Sequence, residues 1–292
     1  MLLGHDKQMH FLKEIKRRNN LGHAYLFSGQ EKIGKKKAAL EWLSLILGPL
    51  SNHPDFVLIE PIKKEIQISQ IRRLTGQLSL KPSLSLVKAA LIDNAHLMNQ
   101  EAQTALLKTL EEPKGRTLIV LISHRPEELL LTILSRLQKI KFNSVKKQAI
   151  KEYLLKHNIA EKEREEICSI ARGRPGLVME IMQERKKLEN FRQKVQELKQ
   201  LIQMPLCARF QYVKETAEDL EKTNDILDIW LECFRKDLLS RCGVAFAASP
   251  SFTGYSNQQL KEIIVLIEKI KLLIQKTNIN TKLALERLVL EI

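Results

Sequence analysis

Residues 89–113 read AALIDNAHLMNQEAQTALLKTLEEP, and this stretch decides the fold. Ala89-Ala90-Leu91-Ile92 is a short unbroken apolar run, the pattern of a strand covered on both faces. Asp93 ends the run and sets a carboxylate at the strand's C-terminal edge, where open α/β sheets bind ligands. Ala102, Ala105, Leu106 and Leu110 then recur at helical spacing, and Pro113 stops that helix near Glu112.

Upstream, His23 to Ser28 reads as a strand running into Gly29. Gly29-Gln30-Glu31-Lys32-Ile33-Gly34-Lys35-Lys36 has the G-x4-G-K spacing of a phosphate loop, and a helix over Lys37 to Leu47 follows. Such a loop surrounds phosphates with backbone N–H groups and a helix N-terminus, and its Lys adds a point charge. Gly29, Gly34 and Lys35 supply those parts. Asp55 to Glu60, Leu118 to Ile122 and Ile140 to Phe142 read as further strands. Helices are expected near His10 to Ile15, over Ile68 to Leu80, and in a leucine-rich run toward Ser135-Arg136. Strands alternating with helices indicate a parallel sheet.

After Asn143 the strand signals stop. Helices are expected over Ala149 to His157, Glu161 to Ala171 and Leu177 to Met182, with a break at Gly173-Arg174-Pro175-Gly176. From Glu184 onward the chain reads as long helices, interrupted near Met204-Pro205, Gly243 to Ser256 and Thr277 to Asn280. The division expected is an α/β nucleotide-binding-type domain over 1–143, a small helical lid over 144–183, and an all-α domain over 184–292.

The chemistry is uneven. The position after the loop lysine normally carries Ser or Thr to hold Mg²⁺; here it is Lys36, which has no lone pair to offer. Asp93 can orient a metal, but the next position, where a hydrolytic site uses Glu to activate water, is Asn94. An amide has no basic oxygen at neutral pH. Ser123, at the end of a strand, is placed to meet a γ-phosphate or water, or simply to make a turn. Arg136, beside Ser135, offers a planar, permanently charged guanidinium at the rim of the sheet, which can reach a phosphate on a neighbouring subunit. His23, His53, His96 and His124 lack metal-ligand spacing.

Composition sets outer bounds. The chain is 44% hydrophobic and 28% charged, with a net charge of +14. Residues 1–143 carry 22 basic against 13 acidic side chains. Such an excess favours polyanionic partners, nucleic acid among them. The four cysteines, Cys168, Cys207, Cys233 and Cys242, form no CxxC pair, so neither zinc nor a disulfide framework is expected. No apolar run approaches a membrane span, and the N-terminus lacks a secretory signal, so a cytoplasmic protein is expected.

These residues resemble the bacterial clamp-loader AAA+ family of DNA polymerase III. The resemblance rests on LGHAYLFSG leading into the phosphate loop, on His53-Pro54-Asp55, and on Ile92-Asp93-Asn94-Ala95-His96 followed by ALLKTLEEP. It rests also on Ser135-Arg136-Leu137, similar to the family's Ser-Arg-Cys motif, and on Asn278 to Glu286, similar to its collar helix. The resemblance implies an AAA+ core, a lid and a collar. It implies assembly with three ATP-binding motor subunits and a delta subunit that opens the sliding clamp, for loading onto primed DNA as part of the polymerase holoenzyme. In that family the non-hydrolysing stator supplies an arginine finger, a role that falls here on Arg136.

Two departures matter. The four-cysteine zinc module of many relatives is replaced by Pro49-Leu50-Ser51-Asn52, so no zinc and no other cofactor is expected beyond weak ATP binding. The family's second-sensor arginine would fall near Gly176, and its absence weakens an ATPase role. Against the stator stand two alternatives: an ATP-hydrolysing motor of gamma/tau type, kept alive by Lys35, and another DNA-binding AAA+ ATPase.

Overall fold

A computed structural model of the chain describes residues 3–243, 252, 254–276 and 279–292. Parts of the interruptions expected at Gly243 to Ser256 and Thr277 to Asn280, and the first residue of the Asn278 to Glu286 motif, lie outside the described residues. The chain divides into two compact units, Met1–Asn158 with Ala171–Met179, and Ile159–Ile170 with Glu180–Ile292.

The first unit is built on five parallel strands: β1 (Ala24–Ser28), β2 (Phe56–Ile59), β3 (Lys88–Ile92), β4 (Thr117–Ser123) and β5 (Gln138–Lys141). Their order is β2-β3-β4-β1-β5. β3 and β4 are buried along their whole length, as their apolar runs require. β5 is an edge strand with three of its four residues exposed. It begins two residues earlier than the apolar Ile140-Lys141-Phe142 suggested, because an edge strand tolerates Gln138 and Lys139 on its solvent side. Phe142 still pairs, donating its N–H to the Ser28 carbonyl at 2.8 Å.

Alternation sorts the side chains to two faces. Leu26, Ala90, Ile92, Ile119 and Leu121 pack under helices α3 (Ile68–Leu78) and α4 (Gln100–Glu111). Tyr25, Phe27, Ala89, Leu91, Val120 and Ile122 pack on the other face with α1 (Asp6–Arg17) and α2 (Lys35–Leu47). Trp42 of α2 anchors that second layer. It is fully buried, meets Tyr25 edge-on at 4.9 Å between ring centroids, and donates its indole N–H to the Leu12 carbonyl.

The leucine-rich run before Ser135 makes a shorter helix than its composition suggests. Pro126 opens a single 3-10 turn over Pro126–Glu128, Leu129 and Leu130 are extended, and only Leu131–Leu134 (α5) is helical. A buried glutamine on α4, Gln103, holds this segment. It donates to the Met98 and Glu128 carbonyls and accepts the Leu130 N–H at 2.8 Å.

The His53-Pro54-Asp55 motif is a tie. Asp55 is 1% exposed. Its carboxylate accepts the N–H groups of Ser83, Leu84 and Ser85 at 2.7–2.8 Å and lies 3.8 Å from the Lys88 ammonium. The loop between α3 and β3 is thereby fixed from below.

Helix α6 (Lys147–Lys156) follows the sheet, then α7 (Glu161–Ala171) and α8 (Pro175–Gln183). The break at 173–176 is narrower than expected, because Pro175 is suited to the first position of a helix and starts α8 itself. The second unit is helical, with α9 (Arg185–Gln203), α10 (Leu206–Thr216), α11 (Leu220–Arg241), α12 (Asn257–Lys276) and α13 (Thr281–Glu291). Its core gathers Leu198, Trp230, Phe234, Leu260, Ile267 and Leu288. No helix among the described residues is long and apolar enough to cross a membrane.

Candidate functional site

The strand order explains why one edge of the sheet carries chemistry. β1 pairs with β4 so that Ser28 lies opposite Ser123, and β2 pairs with β3 so that Ile59 lies opposite Ile92. All strands run the same way. The phosphate loop after β1, Glu60 after β2, Asp93 after β3 and Ser123 at the end of β4 therefore emerge at the same C-terminal edge.

The loop is tightly seated. Gly29 has φ 143°, and a Cβ there would fall 2.3 Å from the Phe142 carbonyl oxygen, so only glycine fits. Gly34, at φ 102°, caps α2. Lys35 opens that helix and is buried, and its Nζ donates to the Gly29 and Gln30 carbonyls at 2.6 Å each. Burial pulls the Lys35 pKa down to about 8, against the opposing pull of Glu31 and Asp93. The ammonium is thus engaged by the carbonyls of its own loop.

Lys36 goes the other way, across the sheet edge. Its Nζ pairs with Glu60 and lies 3.1 Å from Asp93 Oδ2. Burial works against its charge, but hydrogen bonds to Glu60 and Asp93 and the charge of both outweigh that and raise its pKa. Asp93 Oδ1 accepts the Asn94 N–H at 3.0 Å, and Asn94 sits in the left-handed region at φ 51°. Ser123 is fully buried, and its Oγ accepts the Arg125 N–H at 3.0 Å, the hydrogen bond of a turn.

Two histidines that spacing left unassigned meet behind this edge. His96 and His124 pack edge to face, 4.1 Å between centroids. Burial, then the positive charges nearby, hold the His96 pKa down to about 3; burial also lowers His124. Among the described residues His96 Nδ1 has no hydrogen-bond partner.

Gly176, near the family's second-sensor position, is a junction. Its N–H donates to the Lys32 carbonyl at 2.7 Å, and a Cβ would lie 2.5 Å from that oxygen. Gly173 is similarly close to Val145, whose N–H donates to the Gly173 carbonyl. One backbone hydrogen bond thus ties the start of α8 directly to the phosphate loop, and a second ties the turn before it to Val145.

Ser135 and Arg136 are not part of this edge. They precede β5, whose first residue, Gln138, lies opposite Tyr25, near the start of β1. The phosphate loop begins after the end of β1, so the length of a strand, about 13 Å, separates the two. The Arg136 guanidinium donates to the Thr132 carbonyl at 2.7 Å and to Ser135 Oγ at 3.2 Å, and pairs with Glu111 at 2.7 Å. It remains 34% exposed. Sequence reasoning missed Glu111 and Glu60. Glu111 lay within the quoted ALLKTLEEP signature, but nothing in its spacing tied it to Arg136.

Residues 50–146 match the family model described as DNA polymerase III, delta subunit. That span carries Asp93, Ser123, Ser135 and Arg136, and leaves out the phosphate loop. The chain is 37% identical to the delta' subunit of DNA polymerase III from Pseudomonas aeruginosa over 134 residues, 39% of this chain and 41% of that one. It is 34% identical to the delta' subunit from Bacillus subtilis over 160 residues, 49% of each. These alignments span half or less of the length of the curated relatives. In fold, a solved gamma subunit-related protein of DNA polymerase III from Thermotoga maritima superposes with a TM-score of 0.57 at 22% identity, covering 96% of this chain and 97% of that one. Over part of its length the chain is therefore similar to delta' subunits of DNA polymerase III, and it shares the fold of the gamma subunit-related protein.

Proposed function

We propose that this chain is a stator subunit of a DNA polymerase III clamp loader. It joins motor subunits of the tau/gamma type and a delta subunit in the cytoplasm, and helps load a sliding clamp onto primed DNA. It splits no nucleotide itself, and Arg136 completes the ATP site of the adjoining motor subunit. The observation that carries this reading is the placement of Arg136 at the sheet edge opposite the phosphate loop. A guanidinium there lies away from its own loop and stays partly exposed, with Ser135, Thr132 and Glu111 as its partners; this supports a role toward a neighbouring subunit. The local site agrees, since Lys35 is engaged by loop carbonyls and Lys36 by carboxylates. No zinc and no bound cofactor is required for this role.

The purified chain is expected to show no Mg²⁺-dependent ATP hydrolysis, with or without primed DNA, and to co-elute with motor and delta subunits when mixed with them. Turnover that disappears in Lys35→Ala would instead make it a motor subunit.

A further inference from the structure

A phosphate loop of this layout implies a Mg²⁺ ion held by the hydroxyl after the loop lysine and by the acidic residue at the end of the neighbouring strand. The residues present do not fit that ion. Lys36 replaces the hydroxyl, and its ammonium is already seated on the acidic residue. We propose that Lys36 is a built-in cation occupying the divalent-ion position between Asp93 and Glu60, and that it closes this carboxylate pair to Mg²⁺.

Three observations converge on this. First, the register of β2 against β3 makes the pair. Ile59 lies opposite Ile92, so the next residues, Glu60 and Asp93, leave the sheet side by side, and the Asp93 N–H donates to the Ile59 carbonyl at 2.9 Å. Two carboxylates leaving adjacent strands at one edge present the kind of oxygen donors that bind a hard cation. Second, Lys36 lies in the first turn of α2, within reach of both, and makes one hydrogen bond to each. Third, Asp93 is the enclosed member of the cluster, 13% exposed against 52% for Glu60, and the Lys36 ammonium lies against it at 3.1 Å. A tethered ammonium supplies one positive charge without a metal. A divalent ion entering would displace it, with the Lys35 ammonium also close by. This inference is independent of the role proposed for Arg136, which lies at the other edge of the sheet.

The test uses the full chain, with Mn²⁺ as the probe. Binding is read from the paramagnetic resonance signal of free Mn²⁺, and melting temperature is followed at constant ionic strength in EDTA and in millimolar Mn²⁺. The parent chain is expected to bind no Mn²⁺ in the millimolar range and to melt at the same temperature in both conditions. Lys36→Thr is expected to melt lower in EDTA, to recover with Mn²⁺ but not with added NaCl, and to bind one Mn²⁺ per chain about tenfold or more tighter than the parent, as removal of a like charge at contact distance requires. Lys36→Met, which keeps the apolar stem, is expected to gain the same Mn²⁺ response should the threonine variant fold poorly. Adding Asp93→Asn to either is expected to abolish it. Mn²⁺ binding by the parent chain, or variants that gain no divalent response, would overturn the proposal.

Discussion

Replacing Arg136 with alanine is expected to slow ATP hydrolysis at the adjoining motor subunit by about 10³-fold or more, the range measured for arginine fingers in other nucleotide hydrolases. That corresponds to about 4 kcal/mol of transition-state stabilisation. Such an effect comes from a fixed, permanently charged donor array placed where negative charge spreads during transfer. Thr132 and Ser135 accept from one Arg136 guanidinium nitrogen, and Glu111 pairs with another. Its contacts are exposed, so their removal should leave the fold intact. In a reconstituted complex, single-turnover hydrolysis should therefore become biphasic, with one site slow and the others unchanged, while the variant still co-elutes with its partners. Arg136→Lys keeps the charge but loses the planar fork, and is expected to recover only part of the rate. An unchanged time course for Arg136→Ala would remove the finger from the account.

The second large effect concerns stability. Asp55→Ala is expected to cost about 3–5 kcal/mol, the range for removing one partner of a buried, hydrogen-bonded ion pair. The variant leaves three N–H groups, those of Ser83, Leu84 and Ser85, without their acceptor, and leaves the buried Lys88 ammonium without its carboxylate. For a unit of this size the melting temperature should fall on the order of 10 °C. The same carboxylate sets an acid limit. Burial works against its ionisation, but the three N–H bonds and the Lys88 charge prevail and hold its pKa below the usual value. A depressed carboxylate stabilises the fold fully above its unfolded pKa, about 3.9, and that contribution is lost as pH falls through the lower, folded value. Parent and variant stabilities should therefore differ most at neutral pH and converge in acid. A melting temperature unchanged by Asp55→Ala would show that the loop is held by something else.

Much of the fold could be read along the chain, because its strongest signals are local. The apolar runs at 89–92 and 118–122 have no other use than buried parallel strands, and the G-x4-G-K loop sits between a strand and a helix as it must. What stayed hidden depends on contacts between elements far apart in sequence. Glu60 and Asp93 become neighbours only because β2 lies beside β3, and Lys36 then has two partners instead of one. Glu111 meets Arg136 only because α4 returns to the edge from which β5 starts. Gln103 drew no reading from the sequence, yet it is buried and anchors the segment that leads to Ser135. The missing hydroxyl at position 36 and the missing base at position 94 were legible as defects. That the lysine fills the space between two carboxylates was not, since this depends on the sheet order.

The central claim is that this chain acts through its neighbours, and clamp loading onto primed DNA tests it most directly. Motor and delta subunits are reconstituted with and without this chain, and loaded clamps are counted. The account predicts that loading falls to background when the chain is omitted and returns when it is added back. Normal loading in its absence would contradict the account.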